Sequence, residues 1–594
     1  MQDLIIYKLL YVALVYLTLS SLVSRFRKHH NPPTTPPWYL KVGTLAAVLA
    51  AASLPLVGRV FVSSSLMLPW ECETVLNQFE AYQRDQSFLE FTTDALRRNP
   101  GLLSTSGHSL MFGVPTFAIF QTFGWNTTSL RLASYLMGLA SLLIGFLTIR
   151  GLFNSSVALI FTAILATNPV LIHYMGYGVS QTATVFGFFT ALALTMYTLR
   201  GSSWARLALG IPAGLALFLA TYNYAPARIF VVATLGFLAL YASSVIKILA
   251  SSPRSRLAAL LIIVTTVGLY FAQKQINPSS DFTTVRGEQA FAMLNHRDQL
   301  ALYLQNSPEL QSLPPGPLPL GIKVKFLMAV ASERIREFLT HFSPMDRLFV
   351  YHERGNQHGD SFRPYQSALI IPMIVGFFAG LRSWRSIPSL LLFCLFFIGL
   401  GPLFLTNRID NHRSLLLLFP LTAWAAHGIW ILLQRLRGGW LAELHSAIIW
   451  SAVTISMILN AWFFTGVPDP VDQRVAGLLN RADPYIRSGA SVIPSNLNCQ
   501  TQALLALKVA EAKRVAQDTQ PILWPFETGQ LLTDDRFTVN SPEISKIIES
   551  ASVAPVVVIS ALPLNKFNEW AQSSPLQSTE EVDDSFRFTI LQKR

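Results

Sequence analysis

Charged residues are scarce in this chain. Asp, Glu, Lys and Arg make up 13% of its 594 residues, against about 25% in ordinary soluble domains. Hydrophobic residues make up 51%, and the mean hydropathy is +0.41. This composition excludes a water-soluble enzyme.

The motifs of soluble catalytic sites are also missing. The sequence has no glycine-rich phosphate loop, no nucleophilic serine motif and only three cysteines, without the spacing of a zinc site. It therefore gives no support to a soluble nucleotide-sugar site. Cys394 lies in an apolar run, which leaves Cys72 and Cys499 as a pair for which a disulfide is chemically possible but not indicated by any spacing pattern.

The chain does have long apolar runs. A helix needs roughly 17–25 residues to cross a hydrocarbon core of about 30 Å, and twelve runs reach or approach that length. The first run lacks a preceding basic segment and a small-residue cleavage site, which predicts an uncleaved helix with its N-terminus outside. The predicted fold is a polytopic α-helical membrane protein with about twelve spans, at 4–23, 42–60, 128–149, 152–174, 180–199, 205–222, 226–248, 256–272, 366–381, 387–405, 414–434 and 446–466.

The distribution of basic residues predicts the orientation of these spans. If the connector 24–41 is cytoplasmic, the connectors on its side and their helix ends hold fourteen Lys and Arg residues and one acid, Glu443. The other 31 basic and 32 acidic residues balance, so the net charge of +12 is a positive-inside signal. No basic surface remains for nucleic acid.

Three long segments, 61–127, 273–365 and 467–594, fall on the other side of the membrane. The first shows the helical spacing of amphipathic helices lying on the membrane surface, including Val75 and Phe79. The third alternates helical patterns with β-rich runs, which predicts a small extracytosolic α/β domain. The predicted division is an extra helix and basic connector at 1–41, a transmembrane catalytic domain at 42–466, and the α/β domain at 467–594; the β-rich runs are 491–494, 555–560 and 586–591.

An acidic pair, Glu71 and Glu73, follows the second predicted span. Carboxylates at this position are equally consistent with solvated helix-cap residues. In a functional interpretation, they supply a general base for an acceptor hydroxyl, or ligands for a divalent cation, because hard cations prefer carboxylate oxygens.

The residues that follow make the first loop resemble a known family. His108-Ser109-Leu110 comes later in the loop, and Arg131 opens the third span. An acidic motif, a His-containing segment and an Arg in this order resemble the GT-C membrane glycosyltransferases, in particular the bacterial branch related to protein O-mannosyltransferases and the lipid A aminoarabinose transferase. Here Glu-x-Glu replaces the commoner Asp-Glu, and Ser109 replaces a proline. Which glutamate acts as the base is therefore open.

Two further segments fit the same resemblance. The polar run containing Arg354 and His358 is either surface or a donor-site wall that binds phosphate or sugar. His412 and Arg413 lie between two apolar spans on the outer side, where positive charge runs against the inside bias. Arg413 is predicted to bind a lipid phosphate; snorkelling to headgroups is the alternative.

The resemblance implies transfer of a sugar, a hexose or a pentose, from a polyprenyl-phosphate donor to a hydroxyl of a protein, glycolipid or glycan. The reaction would take place at the outer face of a bacterial inner membrane and invert the anomeric carbon. Glu71 or Glu73 would be the base, and His108, Arg131, Arg354, His358, His412 and Arg413 would bind substrate. A divalent cation, with Glu71 and Glu73 as ligands, is one option.

Two other functions remain open at this point. Twelve spans are common in transporters and flippases, but three long segments on one side and the absence of a detectable repeat argue against transport. The altered acidic motif is the one argument for a non-catalytic glycan-binding or assembly protein.

Overall fold

The structure of the chain is a computed structural model. The residues described are 35–56, 60–61, 67–97, 109–199, 204–223, 253–276, 367–384, 386–405, 415–436, 439–464, 473–515, 523–524, 531–533, 536–539, 541–582 and 586–593, together with positions 321, 324, 328 and 332.

Helices dominate the described residues before residue 465. In chain order they are α1 (Trp38–Pro55), α2 (Pro69–Gln83), α3 (Phe88–Arg97), α4 (Gly113–Phe123), α5 (Thr127–Leu152), α6 (Ser155–Ala166), α7 (Pro169–Met175), α8 (Ser180–Leu199), α9 (Trp204–Ala208), α10 (Gly210–Asn223), α11 (Pro253–Ile276), α12 (Ser367–Arg382), α13 (Ile387–Leu405), α14 (Leu418–Arg435) and α15 (Trp440–Phe464).

Many of these helices match the predicted spans. Among the described residues, five helices are long and apolar enough to cross a membrane, or six if the bent pair α6–α7 counts as one span. The predicted runs 4–23 and 226–248 lie outside the described residues; each of the other ten coincides with a helix or a pair of helices. The mostly helical membrane architecture is as predicted, while the count of twelve stays a prediction.

The predicted span 152–174 differs from the structure, because it is two helices bent by 62°. Pro169 lacks a backbone N–H and disfavours helical geometry at the residue before it, which ends α6. Asn168 then caps α7, since its side-chain oxygen accepts hydrogen bonds from the amides of Val170 and Leu171 at 3.0 and 3.2 Å. The bend brings the residues after α7 against α5, where Ser134 Oγ donates to the carbonyl of Val179.

Glycines allow two of the membrane helices to approach closely. A Cβ added at Gly428 of α14 would lie 1.8 Å from the carbonyl oxygen of Pro372 in α12. One added at Gly376 of α12 would lie 1.9 Å from the carbonyl oxygen of Trp424. Small residues at such crossings let backbones pack without a side chain between them.

The C-terminal region contains a four-stranded mixed sheet in the order β1-β2-β4-β3, in which β1 and β2 are parallel and the other pairs antiparallel. The three β-rich runs are confirmed as β1, β2 and β4, and β3 was missed. β3 is a largely exposed edge strand with two glutamates, so it lacks the apolar alternation that identifies a strand. The elements are α16 (Gln473–Arg487), β1 (Ser491–Ser495), α17 (Cys499–Val515), α18 (Pro542–Val553), β2 (Val556–Ser560), α19 (Asn565–Ser573), β3 (Leu576–Val582) and β4 (Arg587–Lys593).

The first loop and the C-terminal region share one hydrophobic core. Val75 and Phe79 of α2 are buried in the same cluster as Leu505 and Val509 of α17. The apolar face of α2 is therefore covered by protein, whereas the helical spacing predicted that it would lie on the membrane surface. Polar contacts reinforce the packing, because Glu511 accepts a hydrogen bond from the Trp125 amide at 3.1 Å.

Candidate active site at the start of the first loop

The acidic pair lies in the first turns of α2. Pro69 occupies the first helical position, where a missing N–H costs nothing. Glu71 is the third residue of the helix, and its Oε2 accepts a hydrogen bond at 2.9 Å from the amide of Leu68, the residue before the helix. A carboxylate at a helix N-terminus is also favoured by the helix dipole. The local sequence therefore determines the position of Glu71 at the start of α2.

Glu71 forms a buried ion pair with Arg131. Arg131 Nε donates to Glu71 Oε1 at 2.8 Å, and its second terminal nitrogen donates to Oε2 at 3.0 Å. Both side chains are 0% exposed. The amide of Gly178 adds a hydrogen bond to Oε1 at 2.7 Å. With the Leu68 amide, each carboxylate oxygen accepts two hydrogen bonds, so its acceptor capacity is filled.

Arg131 joins three elements at this point. It lies near the start of α5, whose N-cap Asn126 accepts a hydrogen bond from the amide of Ser129. The guanidinium carbon lies 5.3 Å from the centroid of the Tyr177 ring, a cation–π distance. Arg131 thus connects α5, α2 and the turn after α7 within the protein interior.

Glu73 is in a different situation from Glu71. Successive helical residues are rotated by about 100°, so two carboxyls two positions apart face roughly opposite directions. Glu73 is half-buried, and its Oε2 is buried without a hydrogen-bond partner among the described residues. Burial raises the pKa of the Glu73 carboxyl. Of the two glutamates, Glu73 is the one with free capacity to accept a proton.

The structure brings two of the three cysteines together. The thiols of Cys72 on α2 and Cys499 on α17 interact: this interaction and burial raise the pKa of Cys72, whereas the interaction lowers the pKa of Cys499 against the opposing effect of burial. The charge of Glu73 acts on Cys499 in the opposite direction, raising the pKa of that thiol. The three side chains are therefore close to one another.

The described residues do not form a metal site. None of the His, Cys, Asp and Glu residues in the described ranges forms a group of three or more that could hold an ion. Glu71 has no free lone pair, and Glu73 offers one oxygen without a partner. The pair as folded does not fit the divalent-cation role considered from the sequence.

The other predicted site residues cannot be placed against this pair. His108, Arg354, His358, His412 and Arg413 lie outside the described residues. The structure thus describes three of the eight predicted site residues and brings two of them, Glu71 and Arg131, into contact.

Tyr177 and Gly178 were not among the eight predicted site residues. A Cβ added at Gly178 would lie 2.3 Å from Leu130 Cγ, so only glycine allows the backbone to approach α5 this closely. The signal was present as Gly176-Tyr177-Gly178 at the end of an apolar helix, because paired glycines mark turns and close backbone approaches. The type of a residue does not indicate which acceptor its backbone amide binds, so the hydrogen bond from Gly178 to Glu71 was not predicted.

Comparisons with known proteins give structural neighbours but no sequence relative. No family model matches the chain, and no curated protein matches it. The chain is similar to the oligosaccharyltransferase AglB of Archaeoglobus fulgidus, solved with an inhibitory peptide and a dolichol-phosphate, at 13% identity and a TM-score of 0.46, over 88% of this chain and 70% of AglB.

A second similarity is to ArnT of Cupriavidus metallidurans. The structure bound to undecaprenyl phosphate matches at 11% identity and a TM-score of 0.47, over 93% of this chain and 98% of ArnT. The apo structure matches at 14% identity and a TM-score of 0.39. At these values the similarity assigns no residue.

Proposed function

We propose that this chain is a membrane glycosyltransferase in which Glu73 is the general base. The observation that supports this proposal is a half-buried carboxyl with an unpartnered, buried oxygen, held beside a saturated ion pair at the start of the first loop. A carboxyl with a raised pKa is suited to accept a proton, because general bases work best when their pKa approaches the working pH.

The proposed reaction is a single displacement at the outer face of a bacterial inner membrane. The acceptor hydroxyl of a protein, glycolipid or glycan gives its proton to Glu73, and its oxygen forms a bond to the anomeric carbon of the sugar. The bond from that carbon to the phosphate oxygen breaks at the same time, and polyprenyl phosphate leaves with the bonding electrons. Attack opposite the leaving group inverts the anomeric carbon.

In this proposal Glu71 and Arg131 position the base and do not touch the substrate. Four hydrogen bonds occupy Glu71, and the Arg131 guanidinium is buried against Glu71 and Tyr177. Because Glu71 and Glu73 share one rigid helical segment, fixing the first fixes the direction of the second. Arg131 is therefore a weaker candidate phosphate ligand than the sequence suggested.

The phosphate of the donor is assigned to residues outside the described part of the chain. Arg413, with Arg354, would stabilise the leaving phosphate through charge-assisted hydrogen bonds, while His108, His358 and His412 would contact the sugar or phosphate. Removing one well-placed donor of this kind costs about 3–4 kcal/mol of transition-state stabilisation in known enzymes.

The experiment compares transfer by three forms of the purified protein in lipid, supplied with labelled polyprenyl-phosphate sugars. Glu73→Gln is expected to abolish transfer while keeping the fold. Glu80→Gln is the matched control, because Glu80 lies on the same helix but is exposed and paired with Arg84. Unchanged transfer by Glu73→Gln would overturn the assignment of the base. Absence of transfer by the wild type with every donor, together with movement of the lipid-linked sugar across the bilayer, would favour a flippase.

A further inference from the structure

Cys72 and Cys499 are placed together by a contact between two distant parts of the chain. Cys72 is the fourth residue of α2, and Cys499 is the first residue of α17. Cys72 is buried, and Cys499 is half-buried at the edge of the same core. The third cysteine, Cys394, lies in the apolar helix α13.

Other contacts hold α2 and α17 together without any help from the thiols. Val75 and Phe79 pack in one core with Leu505 and Val509. Further along both helices, Lys513 Nζ pairs with Asp85 at 2.8 Å, just after the end of α2. Because these contacts hold the helices along their length, packing places Cys72 and Cys499 in the same core.

We propose that Cys72 and Cys499 form a disulfide that joins the helix carrying Glu71 and Glu73 to the C-terminal region. The proposal rests on the outer placement of the first loop and the C-terminal region that the proposed function assumes. Outside the cytoplasm disulfides form and persist, whereas a cytoplasmic pair would stay reduced.

The bond forms by thiol–disulfide exchange with a disulfide-carrying oxidant, small or protein. Cys499, the more accessible thiol, attacks as a thiolate, gives a mixed disulfide and releases one carrier thiol. Cys72 then loses its proton and attacks the Cys499 sulfur, releasing the second carrier thiol. Two protein thiols are oxidised and one carrier disulfide is reduced to two thiols, so atoms and electrons balance.

The proposed disulfide would hold α17 next to the helix that carries Glu73. Cys72 lies between the two glutamates in sequence, and the Glu73 charge acts on Cys499. A cross-link at this position therefore stops α17 from moving away from Glu73. By closing a very long loop it also restricts the unfolded chain, which is the main source of stabilisation by disulfides.

The test counts thiols in the full-length protein purified from membranes. Free thiols are blocked with an alkylating agent during lysis in denaturant, and the peptides are then analysed by mass spectrometry with and without reduction. We expect one alkylated cysteine, Cys394, without reduction and three after it, together with a cross-linked peptide pair that is two hydrogens lighter than the two separate peptides. Three alkylated cysteines without reduction, persisting after incubation of the folded protein with oxidised glutathione, would overturn the proposal.

Melting measurements on variants give a second readout. Dithiothreitol is expected to lower the melting temperature of the wild type and of Cys394→Ser, but to leave Cys72→Ser and Cys499→Ser unchanged. Equal effects of the reductant on all four proteins would count against the bond. Thiol counting needs no sugar transfer, so its result is separate from that of the activity test: a disulfide without transfer refutes only the proposed function, and transfer without a disulfide refutes only this inference.

Discussion

Glu71 and Glu73 show how two identical residues in one helical segment acquire different properties. The carboxylate of Glu71 accepts four hydrogen bonds, whereas Glu73 has a buried oxygen that accepts none among the described residues. The sequence predicted that both glutamates, with Arg131, belong to the site. It left the base open because two of the partners of Glu71, Arg131 and Gly178, lie far along the chain.

The two glutamates are expected to affect stability in opposite directions. Glu71→Gln leaves the Arg131 charge buried without its counterion, and breaking such a pair costs roughly 3–5 kcal/mol. Glu73→Gln removes a partly buried charge that has an unpartnered oxygen, so it is expected to raise the melting temperature at neutral pH. Thermal unfolding in detergent, with Glu80→Gln as the control, measures both effects. Equal destabilisation by the two variants would contradict this prediction.

The stability difference between wild type and Glu73→Gln is expected to depend on pH. The folded-state pKa of Glu73 lies above its unfolded value, so folding favours the protonated carboxyl. The wild type therefore matches the variant below the unfolded pKa, which is about 4.3 for glutamate, and loses stability relative to it as pH rises through the folded pKa. Melting curves of both proteins across this range test the sign. A difference that grows toward acid pH would be the opposite result.

The Glu73 carboxyl is also expected to determine how the rate of sugar transfer falls at acid pH. A base must be deprotonated to act, so activity should fall as pH drops through the raised pKa of Glu73, above the usual glutamate range. Initial rates of transfer against pH, with saturating donor, provide the measurement. Full activity maintained down to about pH 4 would exclude a titrating base of this kind.

Among the elements, the helices were the most predictable and their interruptions the least. Long apolar runs identify helices α1, α5, α14 and α15 by length alone. The break between α6 and α7 depends on Pro169, and apolar composition continues across it, so hydropathy gives a single span. Strand β3 was missed because its exposed edge position removes the alternation by which a half-buried strand is recognised.

The glycine crossing of α12 and α14 gives a prediction at this scale. Gly428→Ala places a methyl group 1.8 Å from the Pro372 carbonyl oxygen, so the helices must separate and the protein should be destabilised. Gly477→Ala in α16 is the matched control, because nothing lies within 4 Å of its added Cβ; there the gain in helix propensity is about 1 kcal/mol. Melting temperatures should move down for Gly428→Ala and up for Gly477→Ala. A neutral Gly428→Ala would mean that the helices do not pack in this way.

For the molecule as a whole, the shared core means that the C-terminal region packs against the first loop and is not an independent unit. Helical periodicity showed that α2 has an apolar face, but periodicity does not say what covers that face, and the sequence placed it against lipid. In the structure it packs on α17. The core formed by α2 and α17 therefore crosses the predicted boundary at 467.

Removal of residues 467–594 is expected to destabilise the part that remains. The truncation exposes Val75 and Phe79, which are 0% and 3% exposed in the whole chain, and it removes the Glu511 partner of the Trp125 amide. Newly exposed apolar surface of this kind favours aggregation. Size-exclusion chromatography and thermal unfolding in detergent measure the effect. A monodisperse truncated protein that melts like the full chain would show that the core is not shared.

The hydrogen bond from the Gly178 amide makes the base sensitive to a residue far away in sequence. A methyl group at Gly178 would lie 2.3 Å from Leu130 Cγ, so the turn would shift and its amide would withdraw from Glu71. Glu71 and Glu73 turn together as parts of one helix, so a shift of this turn would also change the direction of the Glu73 carboxyl. Inactivating substitutions near Gly178 would then resemble folding defects, although they act by changing the position of the base Glu73.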